Sequence, residues 1–408
     1  MTILRSLYTA ALAAILFATC TDPPKTDSDK PANGNWLLTF VVGEVKIPIQ
    51  VGVEDSVWHI HNADETILID SLVWNKKSFR VKMPLFNTSL SGELINENEI
   101  RGIWTDHSRD SVYTIPFVMT HAGGTKSTDA TTRLSERTFE CTFSPGLPDD
   151  MYKAVGIIRE HEGGKLNGTF LTEAGDYRYL SGNTTGRSMQ LSCFDGTHLF
   201  HFCANVQGDS LTDGMFYSGK HWSEPWEAVA NPDAALRNPD SLTFVTNAAG
   251  KFQFKARNEV GDSVLFNEQL FAGKVSVVQI YGSWCPNCTD ESIFLKGLYE
   301  KYHAQGLQVI PVAFERSEDF SIARTAIRDQ FGQLKIPYPS YFGGRKSTAS
   351  AVFSDLSKIL SYPTAIFIDK QGKVRKIHTG FYGPGTGDYY TRNTEILDMF
   401  VRQLLAEK

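Results

Sequence analysis

From Trp36 onward, apolar and polar residues alternate in short runs. Trp36–Val42, Val45–Val51, Ser56–His61, Thr66–Leu72, Ser78–Met83 and Ile100–Thr105 are rich in β-branched and aromatic residues, with Asn, Asp and Gly between them. The pattern continues through Tyr113–Met119, Ala154–Ile158, Gly168–Leu171, Tyr177–Leu180, Met189–Cys193 and Leu199–Cys203. No long amphipathic helix interrupts it. Many short strands at close spacing predict an all-β region over residues 36–235, either a sandwich or an up-and-down barrel. Ile100-Arg-Gly-Ile-Trp104 echoes Leu166-Asn-Gly-Thr-Phe170, a pattern that would mark two related β units.

The pattern changes after Ser223–Ser241, a stretch holding Pro225, Pro232 and Pro239 that reads as a linker. Lys274–Tyr281 and Leu307–Phe314 are apolar runs suited to buried parallel strands. Thr289–Ala304 has helical composition and ends at Gly306, a good C-cap. Asp319–Phe331 reads as a helix, Tyr338–Phe342 as a strand and Ser347–Leu356 as a helix. Thr364–Ile368 and Lys373–His378 read as strands, and Arg392–Ala406 as a closing helix. Strands alternating with helices predict an α/β domain over residues 236–408. The expected chain is therefore multidomain, all-β first and α/β second.

Before the β region, Arg5 precedes a 14-residue mostly apolar run, Ser6–Thr19, and then Cys20. That run is short for a membrane span and has the layout of a secretory signal. A cysteine directly after it resembles a bacterial lipoprotein signal, which implies lipidation at Cys20 and an exported, membrane-anchored protein. Residues 1–19 would be the signal segment. Residues 20–35, rich in Pro, Asp, Lys, Ser and Asn, would be a flexible tether.

Composition changes this picture little. The 408 residues are 41% hydrophobic and 21% charged, within globular limits. The net charge of −6 divides into −10 over residues 1–240 and +4 over 241–408, which offers no basic footprint for nucleic acid.

The strongest chemical signal is Trp284-Cys285-Pro286-Asn287-Cys288, between a strand and a helix. Two cysteines at C-x-x-C spacing can close a small disulfide. The helix N-terminus stabilises the thiolate of the first, and only a thiolate attacks a disulfide. A zinc site needs four ligands, and the chain has no second C-x-x-C and no H-x₃₋₅-H pair. A purely structural disulfide remains an alternative, which the strand–CxxC–helix context disfavours.

Three further features accompany the motif. Gly273-Lys274 opens the preceding strand, Glu291 lies three residues past the second cysteine, and Tyr362-Pro363-Thr364 leads into an apolar strand and Asp369-Lys-Gln-Gly372. As a set, residues 241–408 resemble the thioredoxin fold and, within it, the TlpA/ResA-like exported thiol–disulfide oxidoreductases. The resemblance implies a cis proline at Pro363, facing the cysteines and presenting backbone to an extended substrate, with Trp284 and Tyr362 beside it. It implies that Cys285 attacks, that Cys288 resolves and that Glu291 handles protons. Protein disulfides would be the substrates and a membrane thiol carrier the electron donor, in the cell envelope. No organic cofactor and no metal is called for.

There are departures. Gln279 stands where thioredoxin has a buried Asp, Ile293 where many members have a helix-kinking Pro, and Pro-Asn between the cysteines is an uncommon pair. Gly282 stands where peroxiredoxins place a Thr, which argues against peroxidase chemistry. Reduction is the expected direction, with oxidation or isomerisation as alternatives. A different class of function also stands open: a ligand- or protein-binding β module with an accessory thioredoxin domain.

Cys141, Cys193 and Cys203 are expected to be buried free thiols. A tight turn at Asp195-Gly196 would set Cys193 opposite His198 and Cys203 opposite Ser188, placing the two cysteines on opposite faces. His59 and His61 share a strand face and His201 lies near Cys203, but no third spaced ligand accompanies them. His221, Trp222 and Trp226 read as core aromatics rather than a pocket lining.

Overall fold

The computed structural model describes residues 30–55, 57–109, 111–123, 132–247 and 252–408. The signal segment, Cys20 and most of the tether lie outside the described residues. Alternating burial along the strands folds the β region into two units rather than one.

The first is a nine-stranded antiparallel meander over residues 34–121. It rolls until its first strand, Gly34–Val42, pairs with its last, Tyr113–His121. Glu65–Ile69 and Val73–Asn75 end the sheet on either side of one open seam. Trp36, Phe40, Trp58 and Trp104 fill the interior.

The second is a closed eight-stranded barrel. Arg133–Phe143 pairs with both Tyr152–His161 and Trp222–Ala230, and Tyr152–His161 pairs in turn with Lys165–Thr172. Leu180–Thr185, Ser188–Phe194, Leu199–Gln207 and Ser210–Ser218 complete the circle. Phe143, Phe170, Phe202 and Trp226 pack through its centre, stacked in the pairs Phe143–Trp226 and Phe170–Phe202 and edge to face between them. A two-residue strand, Gly175–Asp176, hangs from the end of Lys165–Thr172.

The two units interlock. The buried Asn62 amide donates to Phe194 O and accepts from Phe194 N, each at 3.0 Å, and so serves as a strand neighbour. Phe194 and Leu199 of the barrel belong to the first unit's core.

The third sheet is the α/β part. Val275–Tyr281 lies at its centre, parallel to Leu307–Glu315 and antiparallel to Thr364–Ile368. Tyr341–Arg345 extends it on one side and Val374–Thr379 on the other. The helices Pro286–Tyr302, Phe320–Leu334 and Asp388–Ala406 share one face, packed on Val275, Val277 and Tyr281. Phe252, Phe271 and Phe353 cover Val278 and Ile280 on the other.

Several local expectations are corrected. The linker reading of Ser223–Ser241 fails in its first half, because Trp222–Ala230 is a barrel strand with Pro225 opposite Met215. One of its polar residues is internal: the buried Glu224 accepts from Ser144 and Tyr152. Tyr177–Leu180 is a connection, and the strand begins at its last residue. The expected helix over Ser347–Leu356 shrinks to a turn, Ala349–Val352, and the strand expected at Tyr338 begins at Tyr341. Cys193 pairs with Phe200 and Cys203 with Gln190, two residues from the expected register, because the turn spans Asp195–His198. The parity is unchanged. Cys141, Cys193 and Cys203 are free, with Cys203 only partly buried. Trp226 is core, whereas Trp222 is half exposed.

Candidate active site

The central strand ends at Tyr281, and Gly282-Ser283-Trp284 carries the chain to the helix Pro286–Tyr302. Cys285 is the N-cap: its backbone is extended and its Sγ accepts from Cys288 N at 3.2 Å. Pro286 follows at the first helical position, where a missing N–H costs nothing. Cys285 and Cys288 form a disulfide, with Cα atoms 5.2 Å apart. Cys285 keeps 5% of its surface and Cys288 none.

Tyr362-Pro363 lies against the pair. The peptide between them is cis, and Tyr362 O is 3.5 Å from Cys285 Sγ. The Trp284 and Tyr362 rings meet edge to face at 5.5 Å, and the Trp284 indole donates to Phe314 O at 3.0 Å. Trp284, Tyr362 and Pro363 thus gather at the disulfide, whereas Gly273-Lys274 and Asp369–Gly372 meet each other instead, Gly273 N donating to Lys370 O at 2.8 Å.

Glu291 sits one turn below Cys288 on the same helix face. It is 1% exposed, and neither carboxyl oxygen has a hydrogen-bond partner. Burial pushes its pKa up to about 8, opposed more weakly by the Gln279 side chain, which lies close by without making a hydrogen bond of good geometry. The Tyr338 hydroxyl is likewise buried without a partner; burial, and then the Glu291 charge, push it upward. Gln279, the departure from thioredoxin, is tied in place. Its amide donates to Cys288 O at 3.3 Å and accepts from Ser292 Oγ at 3.1 Å.

Other residues at the site were not legible in the sequence. The Asn287 amide reaches out of the motif to the barrel, donating to Asp176 Oδ2 at 3.1 Å, Asp176 O at 3.3 Å and Phe381 O at 3.2 Å. Asp176 Oδ2 also accepts from Gly383 N at 2.6 Å. Ser361 Oγ donates to Ala174 O at 2.6 Å. The Gly175–Asp176 end of the barrel therefore rests on both the helix start and the proline loop. Beside it, the buried Arg178 ion-pairs with Asp290 of the site helix, with Glu65 of the first unit at 3.1 Å and with Asp195 at 3.7 Å. Burial raises Asp290 to about 6, the Arg178 charge opposing it. Asn287 was visible only as an unusual dipeptide member. The barrel residues carry no local signal.

A cysteine pair at a helix start, backed by a central strand and faced by a proline loop, places the C-terminal part of the chain among thioredoxin-like oxidoreductases. The comparisons with known proteins agree with that class. Residues 245–390 match the Redoxin family. The chain is similar to the thiol–disulfide oxidoreductase ResA of Oceanobacillus iheyensis, 26% identical over 148 residues, which are 36% of this chain and 70% of that one. It is 30% identical over 104 residues to ResA of Bacillus thuringiensis subsp. konkukian, covering 26% of this chain and 54% of that one. A secreted thiol–disulfide isomerase from Corynebacterium glutamicum is 19% identical, with a TM-score of 0.31, over 43% of this chain and 98% of that structure. The chain thus spans 70% of the first relative's length and about half of the second's, and the likeness lies in its C-terminal part.

Proposed function

We propose that this protein is a cell-envelope disulfide reductase for protein substrates, anchored by lipid at Cys20. The observation that carries the reading is Cys285 itself: its sulfur caps the site helix, accepts the Cys288 N–H and lies beside Tyr362 O. A thiolate there gains from the helix terminus and from that N–H.

In the reduced protein the Cys285 thiolate attacks one sulfur of a substrate disulfide. A mixed disulfide forms, and the other substrate sulfur leaves and takes up a proton. Glu291 removes the Cys288 proton, its raised pKa matching it to a thiol near neutral pH. Cys288 then attacks Cys285 Sγ and releases the second substrate sulfur. The substrate gains two electrons and two protons, and the domain is left with the Cys285–Cys288 bond. An external dithiol, supplied by a membrane thiol carrier, restores the pair. Trp284, Tyr362 and Pro363 line the face where the substrate chain lies.

The test is a covalent trap. Cys288→Ser removes the resolving thiol, so substrates stay bound through Cys285 and are released by dithiothreitol. Loss of trapping in the Cys285→Ala, Cys288→Ser double variant is expected, and trapping that persists there refutes the assignment. A redox titration separates a reductant from an oxidant or isomerase. The reading as a ligand-binding β module is less favoured, because aromatic rings fill the barrel interior.

A further inference from the structure

The exchange reaction leaves a cavity beside the cysteines unexplained. It encloses about 550 Å³ between the first unit and the α/β part, and its walls include Phe86, Arg109, Trp284, Arg316 and Ile322. That size is within the range of ligand and peptide pockets.

The cavity has a sign. Trp284 precedes the attacking cysteine, and its indole is pinned by the bond to Phe314 O. Two cations lie over that ring: Lys346 Nζ is 4.4 Å from its centroid and the Arg316 guanidinium 5.2 Å. Arg109 lies over the Tyr113 ring at 4.0 Å. The buried Asp106 accepts from both Arg109, at 2.8 Å, and Arg316, at 3.0 Å, so one carboxylate serves two guanidiniums. Glu315 also lines the cavity, beside Arg316, and its carboxylate accepts from Ser283 N and Oγ at 2.9 and 2.8 Å. At the rim Lys82 and Asp329 stand 3.9 Å apart. Among the described residues no carboxylate lies within ion-pair distance of Lys346, and burial together with Arg316 and Arg109 weakens its hold on its proton. Arg109 and Arg316 in the wall, with Lys346 over the Trp284 ring, thus outnumber Asp106 and Glu315, and the same cavity carries the apolar side chains of Phe86 and Ile322.

We propose that this cavity selects the substrate: a peptide segment with Glu or Asp beside its disulfide, whose carboxylate enters between Arg109, Arg316 and Lys346. The inference rests on the exchange reading and adds the substrate class to it. A carboxylate there supplies the missing counter-charge, meets the planar guanidinium fork and brings the neighbouring disulfide to the cysteine adjoining Trp284. The apolar wall at Phe86 and Ile322 takes the flanking side chains.

The test uses the full-length protein, reduced with dithiothreitol and freed of it. Three synthetic peptides carry the same internal disulfide, flanked by Glu, Gln or Lys. The Glu peptide is expected to react about tenfold faster than the Gln peptide, and the Lys peptide more slowly still. High salt is expected to shrink the difference. In Lys346→Gln and Arg109→Gln the Glu-to-Gln rate ratio is expected to fall; measured within one preparation, it does not depend on the folded fraction. Equal rates for all three peptides, or a Glu preference that survives both variants, overturn the proposal and leave the exchange reading intact. No reaction with any peptide removes the exchange reading and the proposal together.

Discussion

Glu291 ties the chemistry of the site to the stability of the fold, and the tie can be measured. Its carboxyl is buried with no hydrogen-bond partner, and its pKa moves from an ordinary 4.5 to about 8. At about 1.4 kcal/mol per unit, ionising it inside the fold costs about 5 kcal/mol relative to the unfolded chain. Between these two values the folded protein holds a proton that the unfolded chain has released. Glu291 therefore withdraws stability as pH rises through that window, with no penalty below 4.5 and the full penalty above about 8. Glu291→Gln removes the titration and keeps the shape. Its amide also lacks partners, a cost of about 1–3 kcal/mol that does not vary with pH. The informative quantity is thus the difference in unfolding free energy between variant and wild type, followed from pH 4.5 to 9 by denaturant titration of the oxidised full chain. The difference should move in favour of the variant by several kcal/mol as pH rises, and other titrating groups cancel from it. A difference that stays flat refutes the raised pKa, and with it the proton-handling role of Glu291.

In the reduced protein, alkylation near neutral pH should label Cys285 before Cys288, because Cys285 is the helix cap and is the one residue of the pair with any exposed surface; peptide mass spectrometry reads the order, and first labelling at Cys288 reverses the roles. Asp176→Ala strips Asn287 and Gly383 N of a shared acceptor. It should cost about 1–3 kcal/mol by thermal unfolding and speed Cys285 labelling; unchanged labelling would mean that the barrel end does not screen the site. Arg178→Met leaves Glu65, Asp195 and Asp290 without their shared cation, and should destabilise by about 3–5 kcal/mol at neutral pH. That loss should shrink below pH 6 as Asp290 takes up a proton; a loss independent of pH contradicts the ion-pair account.

The pattern of the chain by itself determined the order of modules and the chemistry of the site. Strands read from alternation at Trp36–Val42 or Thr364–Ile368 needed no context, since a strand with one wet face, or one buried on both, writes its burial into its side chains. The cysteine pair and its helix were legible from the C-x-x-C spacing between a strand and a helix, and the proline loop from the resemblance to the thioredoxin fold. Arg133–Phe143 and Ser210–Ser218 escaped, because charged and hydroxyl residues on their outer faces outnumber the few apolar ones within. Trp222–Ala230 looked like a linker because Glu224 and Pro225 are unusual in a strand, and only barrel closure gives Glu224 its partners Ser144 and Tyr152. Closure of the barrel, the seam at Asn62 and the four-residue turn after Phe194 all depend on hydrogen bonds between residues far apart in sequence or on a turn geometry that composition leaves open. The same holds around Cys285. Asp176, Arg178, Arg109 and Arg316 come from distant segments, and each looks in isolation like a solvated surface charge. Only the packing of three modules against one another brings them to the disulfide. An ion pair or a pocket sums contributions across space, whereas a sequence pattern records only what each segment needs for itself.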